Sequence, residues 1–364
     1  MQEPSGTAVQ RLTPPSGATV HGYYDNYPII EPPTMVGRAG RFKRAASLLT
    51  PVAARGDARD LPRRACPRCF VPLPVAMDDH DAYILSVVGL NRAGKTYFLD
   101  STLYAATRND ALAAYGVTSI IPLGDTAERL HRDYAQPLFN KDHTIPVTLR
   151  YAHLERGPLT FKVSMRDGTT FVLLTHDVSG EALMSENDRA VTAGFVRRAD
   201  ALIFMADPLD MPVIARMQTA AVVDEVGDRN LNQSALLQMV IDELAPTARR
   251  AKPPLVLAVS KSDLISESFD RPFRFAEQTN LDNWRQDCVE VHHEVRDLLH
   301  EVGEVSLIRI ADQLDNSTFH AVSVLGPNRI RDSNGGRPAP VRVLDPLAVA
   351  LNGLSHAISA ARGH

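Results

Sequence analysis

At 364 residues the chain can form one large domain or two small ones, and 44% hydrophobic with 23% charged residues is ordinary globular composition. A net charge of -4 with a pI near 6.3 gives no electrostatic footprint for nucleic acid, and three cysteines exclude a disulfide framework. No run approaches the 18 apolar residues of a membrane span, and Met1 to Val9 lacks the basic start and apolar stretch of a secretory signal, so the expected location is cytoplasmic.

Residues 1–75 hold 11 of the 25 prolines, including the pairs Pro14-Pro15 and Pro32-Pro33, and show no sustained apolar periodicity. They read as a largely disordered, Pro-rich arm. Arg38 to Arg68 carries nine basic residues against Asp57 and Asp60, which suits either a docking patch or a solvated linker. Cys66 and Cys69 form a CxxC knuckle. Two thiolates are half of a tetrahedral zinc site, with His80 the nearest further ligand, so the knuckle reads as degenerate and zinc is not expected.

From Asp81 the texture changes. Ala82 to Val88 is a short apolar run of the kind buried on both faces, and similar runs follow at Ala201–Met205, Leu255–Val259 and Phe319–Val322. Helical stretches lie between them, such as Gln233 to Leu244 and Asn283 to Val302. This alternation predicts βαβ units and a parallel sheet within an α/β domain over 76–364. Leu159–Met165 and Thr169–Leu174, joined across Asp167-Gly168, predict a hairpin that adds one antiparallel strand. Asp125 with Glu128 predicts a capping box for a helix toward Tyr134, and Asp345-Pro346 predicts the start of a last helix over 345–361. His292 and His293 share the Asn283–Val302 helix but point to different faces, which suits surface or packing roles.

Gly89-Leu90-Asn91-Arg92-Ala93-Gly94-Lys95-Thr96 matches GxxxxGK[ST] at every fixed position, directly after one apolar strand and before a helical run. The chemistry needs that spacing. Glycines let the backbone curl its N–H groups, including those of Asn91, Arg92 and Ala93, onto phosphates. Lys95 reaches the terminal phosphates and Thr96 ligates Mg²⁺. Downstream, Asp177-Val178-Ser179-Gly180 follows the second hairpin strand, where Asp177 can hold the metal and the Gly180 N–H can approach a γ-phosphate. Ser260-Lys261-Ser262-Asp263 ends the Leu255 strand. A carboxylate at Asp263 can accept from guanine N1–H and N2–H₂, a donor pair that adenine lacks, while the Lys261 stem covers the base. Backbone N–H groups at Ser323 and Val324 suit the guanine O6.

This set, in this order around an antiparallel hairpin, resembles a P-loop GTPase of the TRAFAC class, the Ras-like superclass, over about residues 80–326. It is similar in particular to the bacterial double-GTPase group of multi-gene signalling or conflict systems, through Cys66 to Cys69, Ala206-Asp207-Pro208-Leu209 and the closing Asp345-Pro346-Leu347 helix. The resemblance implies a three-layer P-loop NTPase fold: a mixed six-stranded sheet with one antiparallel strand and helices on both faces. It implies GTP/GDP with Mg²⁺ as ligands and a partner protein, such as a GTPase-activating protein or a component of the same system.

Thr96 and Asp177 are 81 positions apart, about twice the minimal spacing, so residues 108–142 are expected to form a helical insertion near the first switch. The switch threonine closing over the metal is Thr148 or Thr144, with Thr148 preferred. Glu181 stands where such enzymes often carry Gln; a carboxylate accepts from water but cannot donate to the γ-phosphate, which implies slow, partner-stimulated hydrolysis. Arg92 either supplies a positive charge in cis or points to solvent. The expectation is a GTP-binding regulatory switch. A non-hydrolysing GTP-binding scaffold, or a P-loop ATPase or small-molecule kinase, are the alternatives.

Overall fold

The structure, a computed structural model, describes residues 73–108, 110–135, 158–184, 193–218, 232–244, 253–326 and 339–362, with three short strands nearer the start. Contacts divide the chain into Met1–Asp79 and His80–His364. In the first unit β1 (Val20–Tyr24) pairs antiparallel with β2 (Tyr27–Ile30), which pairs antiparallel with β3 (Arg63–Arg64). Within the arm expected to be largely disordered, these strands form a small sheet, the first two where aromatic and β-branched residues cluster. Cys66 and Cys69 lie outside the described residues. Helix α1 (Ala76–Asp79) closes this unit.

The second unit is built on one seven-stranded sheet. Its strands are β4 (Ala82–Gly89), β5 (Val117–Pro122), β6 (Leu159–Met165), β7 (Thr170–Ser179), β8 (Ala201–Ala206), β9 (Leu255–Val259) and β10 (Ser317–Ala321). They stand in the order β10-β9-β8-β4-β7-β6-β5. Strands β10, β9, β8, β4 and β7 are mutually parallel, while β6 runs antiparallel to both β7 and β5. The one antiparallel strand is therefore where Asp167-Gly168 predicts it. Gly168 takes the left-handed conformation (φ 88), its N–H bonds the Met165 carbonyl, and the Asp167 side chain accepts from the Thr169 N–H.

The sheet has seven strands rather than six. The extra one, β5, falls inside the segment expected to be a helical insertion. Val117, Thr118, Ile120 and Ile121 are β-branched, and Gly116 at φ 87 turns the chain into the strand, so local preference favours pairing with β6. Helix follows only afterwards, in α3 (Thr126–Arg129) and a π-helical turn over Leu130–Ala135. The capping box does not form: Asp125 makes no side-chain cap and instead pairs with Arg129 at 3.7 Å.

Helices cover both faces. They are α2 (Lys95–Ala106), α4 (Gly180–Met184), α5 (Pro212–Met217), α6 (Gln233–Glu243), α7 (Ser262–Ser268), α8 (Trp284–Glu301), α9 (Val305–Ala311) and α10 (Asp345–Arg362). Because successive strand residues point to opposite faces, Leu202, Phe204, Leu255 and Leu257 meet α6, α8 and α9 on one side. Ile203, Met205, Val256 and Ala258 meet α2 and α10 on the other. Every residue of β8 and β9 is buried, which is why those strands read as unbroken apolar runs. Each large side chain so buried contributes about 1.5–3 kcal/mol, and the two cores fix the strand ends that carry the site.

Candidate functional site

The parallel strands bring their carboxyl ends to one edge of the sheet. Strand β4 connects through β5 and β6 to β7 on one side, while β8, β9 and β10 add to the other, so β4 marks the switch point where open α/β sheets bind ligands. The phosphate motif leaves β4 at that point. A Cβ on Gly89 would lie 2.5 Å from the Met205 carbonyl oxygen, so only glycine lets β4 and β8 approach there. Arg92 (φ 66) and Gly94 (φ 80) both take the left-handed conformation and flank buried Ala93. Such reversals turn successive N–H groups into one concavity, and α2 begins at Lys95 directly behind it. Asn91 and Arg92 are exposed; Lys95 is 7% exposed, and its ammonium donates to the Leu90 carbonyl at 2.8 Å.

On the neighbouring strand, Asp177 Oδ2 accepts from the Thr96 hydroxyl at 2.9 Å. Asp177 Oδ1 is buried with no hydrogen-bond partner among the described residues. A hydroxyl and a carboxylate with an unsatisfied oxygen are a hard-oxygen donor set, which fits a divalent cation such as Mg²⁺. Gly180 opens α4, and a Cβ there would lie 2.6 Å from Leu236 Cδ2 and 2.7 Å from the Gly89 carbonyl oxygen. The two motif glycines therefore touch through their backbones. Glu181 lies in α4, whereas Thr144 and Thr148 fall outside the described residues.

Beyond β8 lies the second half of the site. Lys261 is left-handed (φ 49), and its ammonium pairs with Asp207 Oδ2 at 2.7 Å. Asp263 Oδ1 accepts from the Ser323 hydroxyl at 2.7 Å, and that hydroxyl in turn accepts from the Gly326 N–H at 3.0 Å. Strands β4 and β9 are separated by β8 alone, about 10 Å at ordinary strand spacing, so one nucleotide can span Lys95 and Asp263. One expectation needs correcting. The Ser323 N–H is not available for a base, because it donates to the Val341 carbonyl at 3.1 Å in a short antiparallel bridge. Among the described residues the Val324 N–H has no backbone acceptor.

Sequence reasoning missed the groups behind this loop. Arg342, adjacent to Val341, is buried, and its guanidinium donates to Asp287 at 2.7 Å, to Asp345 at 3.0 Å and to the Arg274 carbonyl at 3.2 Å. Asp345 also accepts from the Tyr115 and Thr279 hydroxyls, each at 2.7 Å. Burial pushes the Asp287 carboxyl up, but the Arg342 hydrogen bond and charge outweigh it and hold the group below its ordinary value. Cys288, His320 and Asp345 offer ligand atoms within 4.8 Å of one another, yet the Asp345 oxygens already serve Tyr115, Thr279 and Arg342. The cluster reads as structural. His292, read from sequence as surface or packing, accepts the Phe319 N–H through Nδ1 at 3.1 Å. A cavity of about 390 Å³ lies beside Tyr115, Thr279 and Arg342, and no residue of the phosphate or base motifs lines it.

A family model described as Double-GTPase 2 matches residues 83–321, more than half of the chain. The chain belongs to the Double-GTPase 2 family. The matched span runs from β4 to the end of β10 and so includes the phosphate motif, Asp177, Gly180 and Ser260–Asp263. Family membership supports a P-loop domain that binds guanine nucleotide. This double-GTPase is also 25% identical over 203 residues to SaeC of Mycolicibacterium smegmatis, which carries a provisional description as an ESX-1 scaffolding and assembly protein. That match covers 55% of this chain and 51% of SaeC, so the chain spans about half the length of this curated relative. Among solved structures it is similar to the small GTPase Arl6 (BBS3) of Trypanosoma brucei with bound GppNp: 11% identity, TM-score 0.33, covering 77% of this chain and 98% of that one. For Sup35 with GDP the values are 11% and 0.27, over 67% and 37%. No described helix is long and apolar enough to cross a membrane.

Proposed function

We propose that this double-GTPase domain binds GTP with Mg²⁺ and works as a regulatory switch with slow intrinsic hydrolysis. The observation that carries the proposal is the Thr96–Asp177 contact on the same sheet edge as Asp263, one edge offering a metal-ligand pair and a purine-selecting carboxylate. Lys95, released from the Leu90 carbonyl, neutralises the β/γ-phosphates, and the left-handed loop presents its N–H groups to them. Thr96 and Asp177 hold the metal, which supplies charge neutralisation at those phosphates when bound. Gly180 brings its backbone to the γ-phosphate, and Asp263 selects guanine.

Glu181 follows Gly180 and offers no donor toward the γ-phosphate, so an arginine from a partner is expected to raise the rate by about 10³–10⁵. The test is GTP, GDP and ATP affinity with and without Mg²⁺, followed by single-turnover phosphate release. Guanine preference that depends on Mg²⁺, with turnover below about 1 s⁻¹, supports the switch; ATP competing equally with GTP sinks it. A second reading, a non-hydrolysing GTP-binding scaffold within a multi-component system, is favoured by the likeness to SaeC. Absence of phosphate release with or without partner would select it.

A further inference from the structure

We propose that Asp207 is a positioning residue for nucleotide binding, its buried carboxylate fixing the Lys261 ammonium so that the lysine stem lies against the purine face. The inference rests on the guanine-binding reading above. Asp207 follows β8 directly and is 1% exposed. Several contacts hold it. Oδ2 meets Lys261 Nζ at 2.7 Å, Oδ1 accepts from the Leu209 N–H at 3.0 Å, and its own N–H donates to Gln233 Oε1 at 3.2 Å.

A lysine side chain is otherwise long and rotamer-rich, and ordering it on binding would weaken affinity. Anchored at its tip to a carboxylate that cannot move, the stem is held before the base arrives. The backbone agrees with this. Lys261 is left-handed (φ 49, ψ 40), a conformation that a non-glycine residue keeps only where its surroundings enforce it. The enforcement is visible on both sides: the Ser260 N–H and hydroxyl reach the Ala206 carbonyl at 2.9 and 3.2 Å, and the Ser262 N–H reaches the Val322 carbonyl at 3.1 Å. Gln233 opens α6, the helix whose Leu236 lies at the Gly180 turn, so the same clamp is tied to the phosphate side.

The experiment measures GDP affinity of the full chain by displacement of a fluorescent GDP analogue, for wild type, Asp207→Asn, Lys261→Met and the double variant. Melting temperatures are taken without nucleotide. Each single substitution is expected to raise the Kd on the order of tenfold, and the double variant no further than Lys261→Met alone, because the two residues act as one unit. Unchanged affinity in Asp207→Asn, or losses that multiply in the double variant, would overturn the inference and leave guanine binding standing. A wild type that does not bind GDP overturns that reading and this inference with it. If Asp207→Asn melts far below wild type and binds nothing, the double variant, neutral at both positions, decides. Affinity equal to Lys261→Met supports the clamp, and any further loss overturns it.

Discussion

Thr96 and Asp177, 81 positions apart, meet across adjacent elements at 2.9 Å, with the hydroxyl donating to Oδ2 and Oδ1 left buried without a described partner. Asp177→Asn keeps the shape and removes the anionic ligand. Nucleotide affinity in that variant should lose its Mg²⁺ response, weakening on the order of 10–100-fold in the presence of the metal. Titrating GDP with and without Mg²⁺ reads this directly, and an unaltered Mg²⁺ dependence would remove Asp177 from the metal site.

Asp263→Asn exchanges one acceptor of the purine edge for a donor while keeping the partner of the Ser323 hydroxyl. Guanine affinity should fall by about 2–4 kcal/mol, roughly 30- to 900-fold in Kd, with ATP affinity little altered. A competition titration with both nucleotides separates a base effect from a folding effect.

Gly180→Ala would place a methyl 2.6 Å from Leu236 Cδ2 and 2.7 Å from the Gly89 carbonyl. The leucine tip can give way, whereas the backbone oxygen cannot. We expect about 1–3 kcal/mol of destabilisation, visible as a lower melting temperature. A variant as stable as wild type would show that the two glycines do not seat on each other.

Arg342→Met removes the guanidinium that serves Asp287 and Asp345 together, leaving buried Asp345 without its ion-pair partner and Asp287 with the Arg274 guanidinium only. The expected loss is about 3–5 kcal/mol in urea unfolding. Because Val341 bridges Ser323, guanine affinity should fall in parallel even though Arg342 lies outside the base site.

His320 is fully buried, and burial pushes its pKa down to about 4, with Asp345 opposing and His292 and Arg342 reinforcing the shift. The folded chain therefore resists a proton that the unfolded chain accepts below its ordinary 6.5. Stability is fully present above pH 6.5 and declines as pH falls toward 4, by on the order of 3 kcal/mol from this residue. Unfolding curves between pH 7 and 4 should flatten in His320→Leu; an unchanged slope would assign the acid sensitivity elsewhere.

The parts legible in the sequence are those whose physics is local. Fully buried parallel strands appear as unbroken apolar runs, so β8 and β9 stand out, and β4, buried over its second half, does nearly as well. Asp167-Gly168 carries its turn preference within the hairpin itself, and the phosphate motif carries its own spacing. Strand β5 is hidden because its four β-branched residues sit in a segment whose length suggests helix, and only pairing with β6 reveals them. The clamp on Lys261 and the Arg342 network were hidden for another reason. Asp207 and Lys261 are 54 positions apart, Arg342 and Asp287 are 55 apart, and an isolated aspartate in sequence looks like any solvated one.

The bridge between Ser323 and Val341 sets a boundary on what a minimal nucleotide binder can be. The family likeness ends at residue 321, yet the loop that orients Asp263 is stitched to residue 341 and, through Arg342 and Asp345, to the start of the last helix. A chain shortened to the region of likeness would keep the phosphate motif, Asp177 to Gly180 and Ser260 to Asp263, yet lose the Ser323 hydroxyl that bonds Asp263. The start of the terminal helix is tied through Asp345, Arg342 and the Ser323–Val341 bridge to the loop that bonds Asp263.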